Sequence, residues 1–188
     1  MSFKSRFNQK YKDTPNVFGD KPMPIIENAL KYVSSGLALD LGVGNGRNTI
    51  YLLSRGFRVT GVDMSKEGIA LVKERVPKGS DLNLIVSDVL DFETTEKFDF
   101  VCAIGLFHFL NIESINKIIK NMKDFTKSAG LNVIAARMTQ NYMGDLPHIF
   151  VHDELKSYYS TDEDWEILEY KEQGNMHRKV TMLIAQKK

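Results

Sequence analysis

Three glycines at alternate positions, Gly42, Gly44 and Gly46, follow directly on the apolar run Ala38-Leu39-Asp40-Leu41. A carboxylate, Asp63, ends the next apolar run about 20 residues beyond the first glycine, the offset expected of a ribose-binding acid. Glycine at such a turn permits φ > 0 and lets a ligand approach the backbone where a Cβ would otherwise stand. Residues Arg47 to Arg55 then read as a helix whose unpaired N–H groups face the same spot, which suits an anionic group. Together these residues form a crevice for an adenosyl ligand. Asp63 either accepts hydrogen bonds from both ribose hydroxyls or serves as a helix-entry residue beside Ser65 as N-cap.

The glycine spacing separates two classes of adenosyl ligand. Dinucleotide sites use Gly-x-Gly-x-x-Gly with a pyrophosphate over the helix, whereas this chain has Gly-x-Gly-x-Gly with Asp40 just ahead of it. An added acid repels phosphates but receives the ammonium of an amino-acid tail, while backbone N–H groups take its carboxylate. That combination suits S-adenosylmethionine. Asp88 and Val89, at the end of a third apolar run, match the amino group and a ring nitrogen of adenine; the alternative is a turn over Asp88-Val89-Leu90-Asp91.

A sulfonium already makes its methyl group electrophilic, so the protein has to align a nucleophile, exclude water and manage charge. A soft nucleophile needs no base; an oxygen or nitrogen acid is helped by one, and histidine is the natural candidate. His108, between Phe107 and Phe109 after the fourth strand, stands where such a base would act, with a structural imidazole as the alternative. His148 and His152 lie in a segment that either forms a lid with Tyr142, Met143 and Phe150 or sits on the surface. They lack an evident third ligand, so no metal site is expected. Phe7, Tyr11 and Phe18 either close over the cofactor or pack on the first helix.

Positioning these groups requires alternating strands and helices. A helix over Pro24 to Val33 leads into the first strand, Ser65 caps a helix carrying Ile69, Val72 and Val76 on one face, and Leu82 to Asp88 forms the third strand. Phe98 to Ile104 is a continuous apolar run but for Asp99, as a central parallel strand buried on both faces would be. Ile115, Ile118, Ile119, Met122 and Phe125 line a helix, Gly130 resets the chain into the strand Leu131 to Ala136, and a short helix starts near Asp153. Trp165 to Tyr170 and Lys179 to Gln186 read as antiparallel neighbours. The expected fold is α/β: a Rossmann-like, doubly wound, mostly parallel seven-stranded sheet with an antiparallel last strand.

The motif order resembles class I S-adenosylmethionine-dependent methyltransferases. Leu39 to Asn48 looks like the first motif of that family, Val59 to Ser65 like its second, and Asp88-Val89 like its adenine motif. The resemblance is greatest to the tellurite-resistance methyltransferases of the TehB type. It is carried by Asn45 to Thr49 with Tyr51-Leu52, by Glu154-Leu155 with Tyr158-Tyr159, and by Met176-His177-Arg178 with Thr181-Met182-Leu183. It implies cofactor contacts from Asp40, Gly42, Val43, Gly44, Gly46, Arg47, Asn48, Asp63, Met64, Asp88, Val89, Ile104 and Tyr11. It also places His177 and Arg178 near the methyl-transfer pocket, where they would fix an anionic substrate; a solvated hairpin turn is the alternative. Residues 1–23 are similar to a segment that folds over the cofactor. His108 stands where TehB-type sequences commonly carry an apolar residue.

The chain has 188 residues, a formal net charge of +1 and one cysteine, which fits a single domain and excludes an internal disulfide or a cysteine-based zinc site. Such a charge offers no general field for nucleic acid or an anionic membrane. The N-terminal stretch lacks the apolar core of a secretory signal, so a cytosolic enzyme acting on a small molecule is expected, its oligomeric state open. A nicotinamide-dependent oxidoreductase and a non-catalytic S-adenosylmethionine-binding sensor are the competing functions.

Overall fold

The computed structural model describes residues 3–139 and 146–188. In chain order its elements are α1 (Phe3–Asp13), α2 (Pro24–Ala29), β1 (Gly36–Leu41), α3 (Arg47–Ser54), β2 (Phe57–Asp63), α4 (Lys66–Arg75), β3 (Leu82–Val86) and β4 (Phe98–Ile104). A single 3-10 turn (Phe107–Phe109) precedes α5 (Ile112–Phe125), β5 (Thr126–Arg137), α6 (Glu154–Ser160), β6 (Trp165–Asn175) and β7 (Arg178–Lys187).

The strands make one sheet in the order β3-β2-β1-β4-β5-β7-β6. Five of them, β1 to β5, pair in parallel, and β7 runs antiparallel to both β5 and β6. The last strand is antiparallel, as expected, but it is not at the edge: it lies inside the sheet with β6 outside it. Alternation along each strand sorts the apolar residues onto two faces. Leu39, Leu41, Val101, Ala103 and Ile134 meet Ile115, Ile118 and Met122 of α5 and Tyr159 of α6 on one side. Ala38, Phe100, Cys102 and Val133 meet Ile26 of α2 and Leu52 of α3 on the other. Burial on both faces explains why β4 is apolar from Phe100 to Ile104.

Caps fix where two helices begin. Ser65 Oγ accepts from the Gly68 N–H ahead of α4, and Asn111 Oδ1 accepts from the Ser114 N–H ahead of α5. Four boundaries differ from expectation. The helix at Pro24 stops at Ala29 rather than Val33. β3 stops at Val86, because Asp88 closes a turn in which its carbonyl accepts the Asp91 N–H and its Oδ1 accepts the Leu90 N–H. β5 begins at Thr126 rather than Leu131; the segment around Gly130 is an irregularity in the ladder, with Ala129 at φ 60° and a register shift opposite Phe98 and Phe100. β6 continues to Asn175 because its polar second half pairs with β7.

Candidate functional site

The turn after β1 is built on positive φ: 82° at Gly42, 61° at Gly44 and 84° at Gly46. Gly46 has a packing reason as well, since a Cβ there would stand 2.6 Å from Val72 Cγ2 of α4. Gly44 has a different one. A Cβ at that residue would stand 3.0 Å from the Tyr11 hydroxyl, so the loop leaves its space to an aromatic side chain laid over it from α1.

Asp63, at the end of β2, is held in this loop by two backbone donors: the Gly44 N–H bonds Oδ2 at 2.8 Å and the Ser65 N–H bonds Oδ1 at 2.8 Å. Burial raises its pKa, and the two N–H groups act against that rise. Tyr11, 3% exposed, has its own pKa raised by burial and by the Asp63 charge. The carboxylate is therefore oriented, desolvated and roofed, while each oxygen keeps further lone-pair capacity for a hydroxyl donor. These residues fit a ribose.

A helix that sequence inspection left unassigned provides the roof. Phe3, Phe7 and Tyr11 repeat every fourth residue, which puts them on one face of α1. Tyr11 reaches the glycine loop, and the Ser65 hydroxyl donates to Asn8 Oδ1. Phe7 and Phe3 pack edge-on against Phe109, at centroid distances of 5.0 and 5.6 Å. α1 thus crosses from the end of β2 to the turn after β4. The following strap, residues 14–22, is fastened to the glycine loop. Asn45 Nδ2 donates to the Gly19 carbonyl, Arg47 to the Phe18 carbonyl, and Arg75 both to the Asn45 carbonyl and to Asp20. Asn48 Oδ1 accepts the Met23 N–H. Arg47 and Asn48, expected at the cofactor, have these partners in the strap and at Met23 just beyond it.

Asp40 is 1% exposed and lies beneath the loop. Its Oδ2 accepts from the Thr49 hydroxyl at 2.6 Å and its Oδ1 from the Cys102 thiol at 3.4 Å. Burial raises its pKa and pushes that of Cys102 well up, which keeps the thiol protonated and donating. Val43 and Val89 are buried, whereas Met64, Asp88 and Ile104 are half-buried at the ends of β2, β3 and β4. These three end on the same edge of the sheet as the glycine loop.

The turn after β4 touches that loop. Leu106 lies 3.4 Å from where a Gly42 Cβ would be, and His108, two residues on, is 5% exposed. Burial, and then the Arg137 guanidinium, push the His108 pKa down to about 3. This departs from the near-neutral base expected at that position, because a packed aromatic surround and a neighbouring cation both disfavour imidazolium.

His177 and Arg178 occupy the β6–β7 turn, where Asn175 Oδ1 accepts both of their backbone N–H groups. Their side chains are exposed. Because β7 enters the sheet opposite the end of β5, pairing Val180 with Arg137, the turn projects from the same edge as the glycine loop. The lid envisaged around His148 and His152 takes another form. Tyr142 and Met143 lie outside the described residues. Phe150 is 1% exposed against Phe107 in the core, so it lines no lid. His148 bonds Glu154 at 2.7 Å and His152 bonds Glu172 at 3.0 Å. His152, Asp153 and Glu172 could together face a cation, but Lys179 Nζ already sits 2.9 Å from Glu172. A groove of about 700 Å³ opens at the opposite edge, beside Gly36, Arg58 and Asp99. There Asp99 is engaged by the Leu37 N–H and Lys127, which gives it a structural role. Among the described residues, no helix is long and apolar enough to cross a membrane.

Comparison with known proteins agrees with this fold. The chain is 37% identical over 177 residues to the probable S-adenosyl-L-methionine-dependent methyltransferase TehB of Haemophilus influenzae, which covers 92% of this chain but 59% of that protein. The crystal structure of TehB from Haemophilus influenzae superposes with a TM-score of 0.79 at 33% identity, covering 98% of this chain and 67% of that one. The N-methyltransferase NodS from Bradyrhizobium japonicum WM9, solved with S-adenosyl-L-homocysteine, shares the fold at a TM-score of 0.82 and 16% identity, over 98% of this chain and 97% of that one. The family model described as tellurite resistance protein TehB matches residues 3–182, and the chain belongs to that family.

Proposed function

We propose that the protein is a methyltransferase that uses S-adenosylmethionine to methylate a small nucleophile, either a chalcogen oxyanion of the tellurite or selenite kind or a thiol. The observation that carries this is Asp63: a desolvated carboxylate pinned by the Gly44 and Ser65 N–H groups, under Tyr11, at the mouth of a glycine turn. Its remaining lone pairs suit the two ribose hydroxyls. Asp88 Oδ2 suits the adenine amino group, and the first turn of α3 suits the amino-acid carboxylate. When bound, the cofactor supplies an electrophilic methyl group on a sulfonium.

The chain's own part is arrangement. α1 and its strap exclude water from the crevice, which strengthens the electrostatic contacts inside it. His177 and Arg178, on the turn at the same edge, hold an anionic acceptor through charge-assisted hydrogen bonds. A chalcogen oxyanion, or a thiol that enters as its thiolate after giving its proton to solvent, attacks the methyl carbon with a free lone pair as the methyl–sulfonium bond breaks, so no general base is required at the moment of attack. Calorimetry with S-adenosylhomocysteine and with NADH tests the reading. Binding of the first is expected; tight binding of NADH with none of S-adenosylhomocysteine overturns it. A panel of tellurite, selenite and small thiols with methyl-labelled cofactor then identifies the acceptor.

A further inference from the structure

We infer that Phe109 is a positioning residue for the cofactor: from the turn after β4 it holds α1 through Phe7 and Phe3, and α1 in turn holds Tyr11 over Asp63, the acid that meets the ribose. This rests on the methyl-transfer reading above and adds to it a residue that acts through a helix. The turn is rooted in the sheet. Phe107 is fully buried and meets Phe150 in the core, while the Phe109 and Leu110 N–H groups bond the Leu106 and Phe107 carbonyls. Phe109 itself is half-buried and packs on α1, edge-on to Phe7 at 5.0 Å and to Phe3 at 5.6 Å between ring centroids.

The rings continue along the helix to the crevice. Phe7 stacks on Tyr11 at 6.0 Å, so aromatic contact runs unbroken from Phe109 to the side chain over the glycine loop. Tyr11 is wedged there between two glycines: a Cβ on Gly44 would stand 3.0 Å from its hydroxyl, and a Cβ on Gly68, in the first turn of α4, 3.1 Å from its Cε2. From Phe3 to Tyr11 the helix rises about 12 Å. An isolated helix of this length is marginal in water, so α1 keeps its form and place by packing this face. The exposed Lys12–Glu67 pair, at 3.4 Å, contributes little beside such packing. Phe109 therefore bears on Asp63 without touching it. Coupling of this kind is reciprocal, so a cofactor held beneath Tyr11 also steadies the turn at Phe109.

The test titrates the full chain with S-adenosylhomocysteine by calorimetry and follows amide exchange with and without that compound. Phe109→Ala should weaken binding about tenfold and quicken exchange along α1 while α5 keeps its protection. Phe109→Leu, which leaves an apolar side chain beneath α1, should stay within about threefold of wild type. Tyr11→Ala should also lose about tenfold, and the double variant no more than about 20-fold, because both changes act through the same helix. In the wild type, S-adenosylhomocysteine should slow exchange of the Phe109 and Leu110 amides. Wild-type affinity in Phe109→Ala, a loss of about 100-fold in the double variant, equal losses in Phe109→Ala and Phe109→Leu, or no response of the turn's amides overturns the role. Loss of protection in α5 along with α1 overturns it too, since the weaker binding would then come from the fold as a whole. Failure of the wild type to bind S-adenosylhomocysteine is a different result, seen without any variant: it overturns the methyl-transfer reading itself and the role with it.

Discussion

The half of the carboxyl edge built on β1 and β2 holds its polar groups from within, whereas the β6–β7 turn leaves the side chains of His177 and Arg178 to solvent. Asp63 has a backbone donor on each oxygen, Asp40 a hydroxyl and a thiol, and the loop between them is clamped by Asn45, Arg47 and Arg75. His177 and Arg178 have only their backbone fixed, by Asn175, and their side chains stand in water. The difference teaches how one fold divides its labour. On the function proposed above, a ligand of constant shape would be met by groups whose rotamers are set beforehand, and a variable acceptor by long side chains that settle around it.

The largest effect that would test this contrast belongs to Asp63→Ala. Losing two or more charge-assisted bonds of about 1.5 kcal/mol each should weaken S-adenosylhomocysteine binding on the order of 100-fold by calorimetry. Unchanged affinity would remove the preset half of the comparison. Next is the double change His177→Ala with Arg178→Ala. It should cut kcat/KM for an anionic acceptor by roughly 10- to 100-fold while leaving S-adenosylhomocysteine affinity within about twofold. Equal losses in both measurements would mean that the two halves are one site.

Gly46→Ala probes stability rather than binding. A Cβ at φ 84° and 2.6 Å from Val72 should cost about 2 kcal/mol in urea unfolding, against roughly 0.5 or less for Met176→Ala on the exposed turn. Similar costs at the two positions would erase the distinction. Arg75→Ala removes the link from α4 to Asp20 and to the loop carbonyl. Protease cleavage within residues 14–22 should quicken and cofactor affinity fall roughly threefold. The smallest effect concerns pH. The His152 pKa is raised by its bond to Glu172 and by Asp153, with Lys179 opposing. The stabilisation this gives is complete below the ordinary histidine value of about 6.5 and lost as pH rises through the higher folded value. Protection of the Asp153 amide, which bonds Glu172, should decline over that window while protection of the Gly44 amide stays constant. Parallel decline at both would show the halves to be coupled.

The parallel half was largely legible in the sequence, because its signals are local. Glycines at alternate positions, carboxylates at the ends of apolar runs and Ser65 at a helix start each announce a conformation within a few residues. The roof was not read as a helix: the four-residue spacing of Phe3, Phe7 and Tyr11 is a signal for one, but that face is narrow and the rest of α1 is polar. What could not be read depends on partners far along the chain. Arg75 reaches back 30 residues to the loop, Asp40 finds Cys102 across 62, and the polar end of β6 is a strand only because β7 pairs with it. The lowered pKa of His108 is of the same kind, since it follows first from burial among residues brought together by the fold and then from an arginine on another strand.

The reversed direction of β7 has an evolutionary consequence. By running against its neighbours inside the sheet, it delivers the tip of a hairpin to the edge where the glycine loop lies, without a crossover helix. That tip can lengthen, shorten or change its side chains while the ladders beneath keep their register. On the function proposed above, descendants of this fold could trade one substrate for another by editing a single short turn while the glycine loop and its clamps stay unchanged.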